Sequence, residues 1–474
     1  MRKKIFNYII PMALVAFLFS ACENKLDLEP HDAMSEDQAL KTYDGLTLSL
    51  TGTYDVIQEN GSYGQDYIQI NEVLVDDIYW DGSYISYRDI ADKAQTTTNG
   101  EGEDLWITAY EGINQANKII HAVDNYSIND PRYEPNKDRI KGEALFIRAI
   151  LHWQVVSYFA QPPGFTADNS HPGVPIKTEP TMNPDDATAK PSRDAVSAVY
   201  NQIITDLNDA ASLLPETNPK RATKYSAQAF LSRVYLQNGQ DTEAAAAANA
   251  VIESGLYGLL SDPVKCFNTK NTQETLFEVQ MTESDNIAND NQALANYFYY
   301  EERDEVHIPK DVINRYSDDD LRKSSFFYYI TKENEDGTFD TTWYSNKWTD
   351  IYQNVPTIRY PEVLLNRAEA LANMNGFDGE AVGLVNDLRE RAEADLVDPS
   401  NAEELMETIK TERKLELVHE GIRVNDLRRW RSQEIGNSNS TNQFTVAWND
   451  DHLILPIPQR ERDVNENLTQ NPGY

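Results

Sequence analysis

Apolar residues recur every three or four positions over long stretches of the chain, beginning near Trp106. Between residues 139 and 159 they form one stripe with a second stripe beside it, which indicates a helix that is buried on both sides. The sequence Gln161-Pro162-Pro163-Gly164 then ends this helix.

Other helices are predicted in pairs joined by an Asn-Gly turn, at Asn238-Gly239 and at Asn375-Gly376. The pairs are 223–237 with 241–254, and 361–374 with 379–394. Repeated helix pairs of about 30–35 residues are typical of tetratricopeptide-like hairpins. The pattern predicts a mainly α fold with helical hairpins over about 105–255 and 359–430.

Two stretches, about 45–104 and 258–358, break the helical pattern and are dense in Tyr, Asp, Gly and turn signals. Long irregular segments on a rigid scaffold often carry function. We therefore expect these two regions to be irregular and to hold a ligand site, within one domain that extends over 36–474.

The first 21 residues predict an export signal. Arg2, Lys3 and Lys4 precede an apolar run, and the small residues Ser20-Ala21 precede Cys22. This arrangement resembles a bacterial lipoprotein cleavage site, where the cysteine is acylated, although an ordinary signal peptide stays the alternative. The polar segment 22–35 is expected to be a tether.

Cys266 is the second of two cysteines in the chain. If Cys22 carries lipid, Cys266 has no disulfide partner, and we expect it to be a small core residue.

The net charge of the protein limits which kinds of molecule it can bind. There are 77 acidic against 42 basic residues, giving a formal charge of −35, and the mean hydropathy is −0.60. Such a surface repels phosphate backbones, so no nucleic-acid partner is expected. The low hydropathy excludes a polytopic membrane protein, and the negative charge suits a neutral ligand better than an anionic one.

Candidate binding chemistry comes from aromatic density between Tyr63 and Tyr87, where five tyrosines and one tryptophan fall within 25 residues. Flat rings contact the C–H faces of sugars, and acidic or basic neighbours bind hydroxyl groups. Core packing of about half of these rings is the alternative. Trp80 is favoured for ligand contact because it precedes Asp81-Gly82 in a predicted loop.

Trp343 and Tyr344 are preferred in the second irregular region because polar residues precede them, whereas Tyr297, Tyr299 and Tyr300 fit a buried strand. The predicted ligand-binding residues are Asp77, Tyr79, Trp80, Asp81, Tyr84, Arg88, Trp343 and Tyr344.

No catalytic motif stands out. The sequence has no H-E-x-x-H, G-x-S-x-G or Walker-type loop. Among 77 acids some pair always looks suited to glycoside hydrolysis, so acidic pairs carry little information. The triplet Asp318-Asp319-Asp320 is interpreted as a solvated turn, with calcium as the alternative. No cofactor is otherwise expected.

Longer motifs resemble a known family. They are I-R-Y-P-E-V-L-L-N-R-A-E-A-L at 358–371, E-R-K-L-E-L-V-H-E-G-I-R-V-N-D-L-R-R-W at 412–430, L-P-I-P at 455–458 and N-E-N-L-T-Q-N-P-G-Y at 465–474. The helices at 105–120 and 143–149 add to the match. Together these motifs strongly resemble the SusD/RagB family of outer-membrane nutrient-binding lipoproteins.

The resemblance implies a SusD-like fold of tetratricopeptide-like hairpins with an irregular ligand-binding face. It also implies a lipid-anchored protein on the exterior of the outer membrane that caps a SusC-like TonB-dependent transporter and is not an enzyme. Arg413, Glu416, Glu420 and Arg423 are expected to form ion pairs between packed helices, and Trp348 is expected to be structural.

The leading hypothesis is a non-catalytic surface protein that captures an oligosaccharide or polysaccharide and delivers it to the transporter. One alternative keeps this role but has a peptide or another non-glycan cargo. The others are a glycoside hydrolase and a scaffold whose helical grooves bind protein tails.

Overall fold

The computed structural model describes residues 36–183, 186–288 and 291–474. The predicted export signal, Cys22 and the tether 22–35 lie outside the described residues. Within the described ranges the fold is mainly α, as the sequence predicts. No described helix is both long enough and apolar enough to cross a bilayer.

The helices are α1 Glu36–Ala39, α2 Tyr43–Gln58, α3 Asp66–Val73, α4 Ile85–Ala91, α5 Gly100–Asn125, α6 Lys137–Phe159, α7 Val196–Leu213, α8 Lys224–Gln237, α9 Asp241–Glu253, α10 Lys265–Asn268, α11 Leu294–Phe298, α12 Lys310–Ile313, α13 Leu321–Ser325, α14 Tyr360–Asn375, α15 Gly379–Arg391, α16 Ala402–Glu416, α17 Arg423–Arg429 and α18 Gln459–Val464. The strands are β1 Tyr79–Trp80, β2 Thr275–Val279, β3 Val306–His307, β4 Phe327–Glu333, β5 Phe339–Ser345, β6 Val355–Arg359, β7 Ile435–Gly436 and β8 Thr445–Val446. The strands pair antiparallel as β1 with β3, β2 with β6, β4 with β5 and β7 with β8.

Helix α6 lies between α5 and α7 and is buried along almost its whole length, as its two apolar stripes predict. Its Arg148 forms a buried ion pair with Asp206 of α7, at 2.6 Å between Nη2 and Oδ1. Asn99 caps α5 by accepting a hydrogen bond from the Gly102 amide at 3.1 Å. The ion pair ties α6 to α7, and the cap fixes the start of α5.

Both predicted Asn-Gly turns join paired helices. Gly239 between α8 and α9 has φ of 71°, and Gly376 between α14 and α15 has φ of 73°, a conformation that glycine adopts without strain. The two hairpins pack through α9 and α14.

The prediction of an irregular region over about 45–104 is wrong for most of that stretch, which contains α2, α3 and α4. Threonine, serine and glycine in α2 lower its helix propensity and hide it from pattern analysis. Helix α3 is buried on every side, including the polar Asp66, Gln69 and Glu72, so it displays no apolar stripe.

Four basic and four acidic side chains form a buried ionic cluster between the C-terminal helices and β6, each less than a tenth exposed. Its members are Arg322, Lys347, Arg359, Arg391, Glu274, Glu412, Glu416 and Glu420. Burial would raise the pKa of Glu416, but Arg391, Arg359 and Arg322 outweigh it and hold the pKa below its ordinary value. The ion pairs predicted for Glu416 and Glu420 are therefore confirmed.

The other residues assigned to the scaffold also behave as predicted. Arg413 Nε lies 2.8 Å from Asp426 Oδ2, and Trp348 is fully buried, with its indole donating to the His419 carbonyl at 2.9 Å. Cys266 is a buried free cysteine, and burial raises the pKa of its thiol.

Candidate functional site

A patch of short strands joins the two regions where a ligand site is expected. Tyr79 pairs with His307 and Trp80 with Val306 in the β1–β3 ladder. A bridge between Ile308 and Trp343 then connects β3 to the β4–β5 hairpin. Residues more than 220 positions apart in the sequence thus become neighbours.

One face of this patch carries a group of aromatic rings. Because successive side chains of a strand point to opposite faces, Tyr79 and His307 share one face and Trp80 and Val306 share the other. Tyr344 lies on the His307 face, 5.5 Å away between ring centroids, and stacks on Tyr328 at 5.3 Å. We call Tyr79, Tyr300, His307, Tyr328 and Tyr344 the aromatic sheet face.

The remaining member, Tyr300, lies 5.6 Å from the Tyr344 ring, and its backbone amide donates to the Tyr328 hydroxyl at 3.1 Å. Tyr79, Tyr300, His307 and Tyr328 are half-buried, whereas Tyr344 lies beneath them. The face therefore offers exposed ring surface on a buried aromatic support.

Two carboxylates border this face and share one imidazole. His307 Nδ1 lies 2.8 Å from Asp81 Oδ2, and its Nε2 lies 3.0 Å from Asp304 Oδ1. The Tyr344 hydroxyl donates to Asp304 at 2.7 Å, and the Ser440 hydroxyl donates to Asp81 at 2.8 Å. The result is a chain of hydrogen bonds across β1, β3, β5 and the 437–443 segment.

These contacts shift the pKa values of His307 and Asp81. Burial would lower the pKa of His307, but its hydrogen bonds to Asp81 and Asp304 outweigh burial and raise the pKa above its ordinary value of 6.5. The hydrogen bond from His307 in turn lowers the pKa of Asp81. Near neutral pH the arrangement favours an imidazolium between two carboxylates.

The segment 437–443 completes the border of the face and was not found by sequence reasoning. The Trp80 amide donates to the Ser438 carbonyl at 2.8 Å, which ties the segment to β1. The Gln443 side-chain amide donates to the Tyr79 hydroxyl at 2.9 Å and so orients that ring.

Two further predicted residues lie at the end of the 81–84 loop and in α4. The guanidinium of Arg303 lies over the Tyr84 ring at 4.4 Å, in a cation–π contact. Arg88 is exposed and donates from Nη2 to the Gly82 carbonyl at 2.6 Å. The Tyr84 ring also packs against Tyr87 and Tyr297, which contact Trp80, so Tyr84 lies on the Trp80 side of β1 and not on the aromatic sheet face.

Two predicted ligand residues are buried in the scaffold instead. Asp77 is fully buried, with Arg315 Nη1 at 2.5 Å and Arg423 Nε at 3.5 Å. Trp80 is 4% exposed and packs against Tyr87 at 4.9 Å between ring centroids. The expectation of an exposed Trp80 ring in a loop is wrong because β1 turns it toward the core.

Trp343 and Tyr344 do not act as a pair, since neighbours in a strand point to opposite faces. Tyr344 is 1% exposed and supports the aromatic sheet face from below. Trp343 is half-buried on the other face of the hairpin, 4.9 Å from Tyr329, whose side chain is 57% exposed. The structure brings Tyr79 and Asp81 together around His307, with Tyr344 beneath, and leaves Trp343 apart.

At Gly82 the backbone of the 81–84 loop lies close to the Trp80 ring and the Glu305 carboxylate. A Cβ at this position would lie 2.5 Å from Trp80 Cζ2 and 2.8 Å from Glu305 Oε2. We expect Gly82→Ala to lower the free energy of unfolding by about 1–3 kcal/mol through overpacking, measured by urea denaturation.

Gly383→Ala is the matched control, because a Cβ there meets no atom within 4 Å in the interior of α15. This variant should be neutral or more stable, since alanine is the better helix former. Equal stability of Gly82→Ala and the wild type would contradict the packing argument for the loop.

The His307 contacts predict a pH dependence. Because the pKa of His307 is raised on folding, its stabilising contribution is complete at pH values below 6.5 and is lost as pH rises through the raised pKa. The difference in thermal unfolding midpoint between wild type and His307→Gln should therefore be largest near pH 6 and shrink toward pH 9. A difference that grows with pH would refute the assignment.

The described part of the chain contains no group of three or more His, Cys, Asp or Glu side chains that could hold a metal ion. Asp320 of the acidic triplet is buried rather than solvated, and its Oδ2 accepts from Arg322 Nη2 at 2.9 Å. Asp318 pairs with Lys323 at 2.6 Å.

The model of the SusD family matches residues 217–474, more than half of the chain. The chain belongs to the SusD family. A second family model, described as starch-binding associating with outer membrane, matches residues 26–236. Membership of the SusD family implies a carbohydrate-binding surface protein.

Relatives and solved structures cover the chain almost completely. "SusD-like protein P2" of Formosa agariphila is 26% identical over 99% of this chain and 100% of its own length. The crystal structure of a "putative sugar binding protein" from Bacteroides vulgatus has a TM-score of 0.78 and 26% identity, and covers 91% of this chain and 99% of its own. A SusD superfamily protein from Bacteroides thetaiotaomicron has a TM-score of 0.79 and 26% identity, covering 91% and 100%. The SusD-like fold is therefore established for this chain.

Proposed function

We propose that this SusD-family protein is a non-catalytic, cell-surface lipoprotein that captures an oligosaccharide or polysaccharide and delivers it to a SusC-like TonB-dependent transporter in the outer membrane. The observation that carries the proposal is the aromatic sheet face, where half-exposed rings lie beside two carboxylates. Family membership supports the same function.

The chemistry of the face suits a sugar. Tyr79 and Tyr300 offer flat apolar surface to the C–H groups of a pyranose ring. Asp81 and Asp304 accept hydrogen bonds from hydroxyl groups. A site that combines both contacts recognises the amphipathic surface of a sugar.

The electrostatics favour binding over hydrolysis. A glycosidase needs one carboxylic acid that stays protonated to donate to the leaving group. At this face the hydrogen bond from His307 lowers the pKa of Asp81, and the same imidazole occupies Asp304. Asp81 is therefore suited to accept a hydrogen bond from a bound sugar rather than to donate a proton. The proposed function needs no cofactor. Calcium would be needed only for an anionic glycan, to bridge it to the acidic protein.

The location and partner rest on the N-terminal sequence and the family. Acylation of Cys22, with 22–35 as a tether, would hold the folded chain at the outer membrane, facing the exterior. That position places the captured glycan beside a transporter. Co-purification of a TonB-dependent transporter with the lipidated protein from outer membranes is expected, and a Cys22→Ala variant should lose it.

Affinity electrophoresis against a panel of neutral and anionic polysaccharides tests the cargo. We expect retardation by at least one neutral polysaccharide and no release of reducing sugar. Uniform failure to bind would contradict a glycan cargo and favour a peptide, whereas released reducing sugar would contradict the non-catalytic role.

A further inference from the structure

A second concave site lies apart from the aromatic sheet face. It is a cleft of about 580 Å³, walled by the 216–223 loop between α7 and α8, by Leu256 and Tyr257, and by β2 with the residues before it. Its volume lies within the range of small-molecule sites. None of its lining residues belongs to the aromatic sheet face or its border.

The lining is rich in groups that bind hydroxyls. More than half of the side chains that line the cleft carry an amide or a hydroxyl group, among them Thr217, Asn218, Asn271 and Gln273. Such neutral groups both donate and accept hydrogen bonds. The composition suits a ligand that presents many hydroxyls.

The cleft is lined by two acidic and two basic side chains, so its formal charges cancel, which favours a neutral ligand. Arg221 Nη1 lies 3.4 Å from Glu143, its Nη2 donates to Thr51 at 2.7 Å, and its guanidinium lies 4.9 Å from the centre of the Tyr54 ring. Glu216 accepts from the Tyr225 hydroxyl at 3.3 Å. No strong net field is left to select an anion or a cation.

One buried acceptor in the lining has no partner. Glu278 Oε1 accepts from the Asn271 amide at 2.6 Å and from Asn354 Nδ2 at 2.5 Å. Its second oxygen, Oε2, is buried and has no hydrogen-bond partner among the described residues. A buried polar atom is normally satisfied, so Glu278 is a residue of the cleft wall whose hydrogen bonds the described protein leaves incomplete.

Apolar contact is available beside these groups. Tyr257 is half-buried in the wall, and Leu256 is 46% exposed, so ring and aliphatic surface adjoin the amide groups. This pairing of apolar surface with hydroxyl-binding groups repeats, on different elements, the chemistry of the aromatic sheet face.

We propose that this cleft is a second binding site for a neutral, hydroxyl-rich ligand, one or two sugar units of the glycan that the first face captures. The proposal rests on the proposed glycan-binding function. Two sites on one chain increase the avidity for a polymer relative to a short oligosaccharide.

The test uses the mature protein and four neutral probes: maltohexaose, xylohexaose, cellohexaose and laminarihexaose. Binding is measured by calorimetric titration in the Tyr79→Ala/Tyr300→Ala background, which removes two rings of the first face. We expect residual binding of at least one probe, reduced at least about tenfold when Gln273→Trp or Thr217→Trp fills the cleft. Gln433→Trp, an exposed glutamine that lines neither site, is the control and should leave the residual binding unchanged.

The outcomes separate the two proposals, provided that unfolding midpoints show each variant to be folded. Binding by wild type but none in the double background overturns the second site and leaves the proposed function intact. Residual binding that both cleft variants leave unchanged also overturns it. Binding lost in Gln273→Trp but unaffected by the double substitution supports the cleft and overturns the first face. No binding of any probe by wild type contradicts both.

Discussion

The double variant Tyr79→Ala/Tyr300→Ala should bind its glycan about a hundredfold more weakly than the wild type. Each ring contributes a stacking contact of about 1.4 kcal/mol, a factor of ten in affinity. Both rings are half-buried, with Tyr79 oriented by Gln443 and Tyr300 packed on Tyr344. Affinity electrophoresis with a retained polysaccharide measures the loss.

Tyr329→Ala is the matched control, because this tyrosine is 57% exposed but lies on the opposite face of the β4–β5 hairpin. It should bind as the wild type does, and so should Trp343→Phe. Weaker binding in the Tyr329 variant, with full binding in the double variant, would move the site to the other face of the hairpin.

Arg359→Met should lower the free energy of unfolding by about 3–5 kcal/mol, since it leaves buried carboxylates without their counter-charge. Arg359 is fully buried, with Glu274 at 2.6 Å, Glu420 at 2.5 Å and Glu416 at 3.4 Å. Methionine fills a similar volume but removes the charge. Urea denaturation of the mature protein measures the difference.

Arg460→Met provides the comparison at the surface. Arg460 is 70% exposed and lies 3.6 Å from Glu103, and an exposed pair of this kind contributes at most about 1 kcal/mol. Equal stability of the Arg359 and Arg460 variants would show that the buried ionic cluster does not hold the C-terminal helices together.

The scaffold could be predicted from sequence because its signals are local. The apolar stripes of α6 and the Asn-Gly turns of the two hairpins lie within single segments, and the structure confirms them. The ion pairs of Arg413 and Glu416 were expected from the resemblance of the 412–430 motif to the SusD/RagB family, and a buried charge needs such a partner.

The site could be predicted only in part because it depends on pairing between distant segments. Aromatic density near Trp80 does not distinguish a packed ring from an exposed one, and the register of β1 with β3 decides that Tyr79 faces outward and Trp80 inward. Asp304 and His307 were missed because their partner Asp81 lies more than 220 residues away. The remaining signal was the charged sequence 301–307 directly after Tyr299 and Tyr300.

The most direct test of the account is a crystal structure of the protein with an oligosaccharide taken from a retained polysaccharide. A pyranose ring should lie against Tyr79 or Tyr300, with a hydroxyl group hydrogen-bonded to Asp81 or Asp304. A sugar bound against Tyr329 and Trp343, with the aromatic sheet face empty, would contradict the assignment of the site.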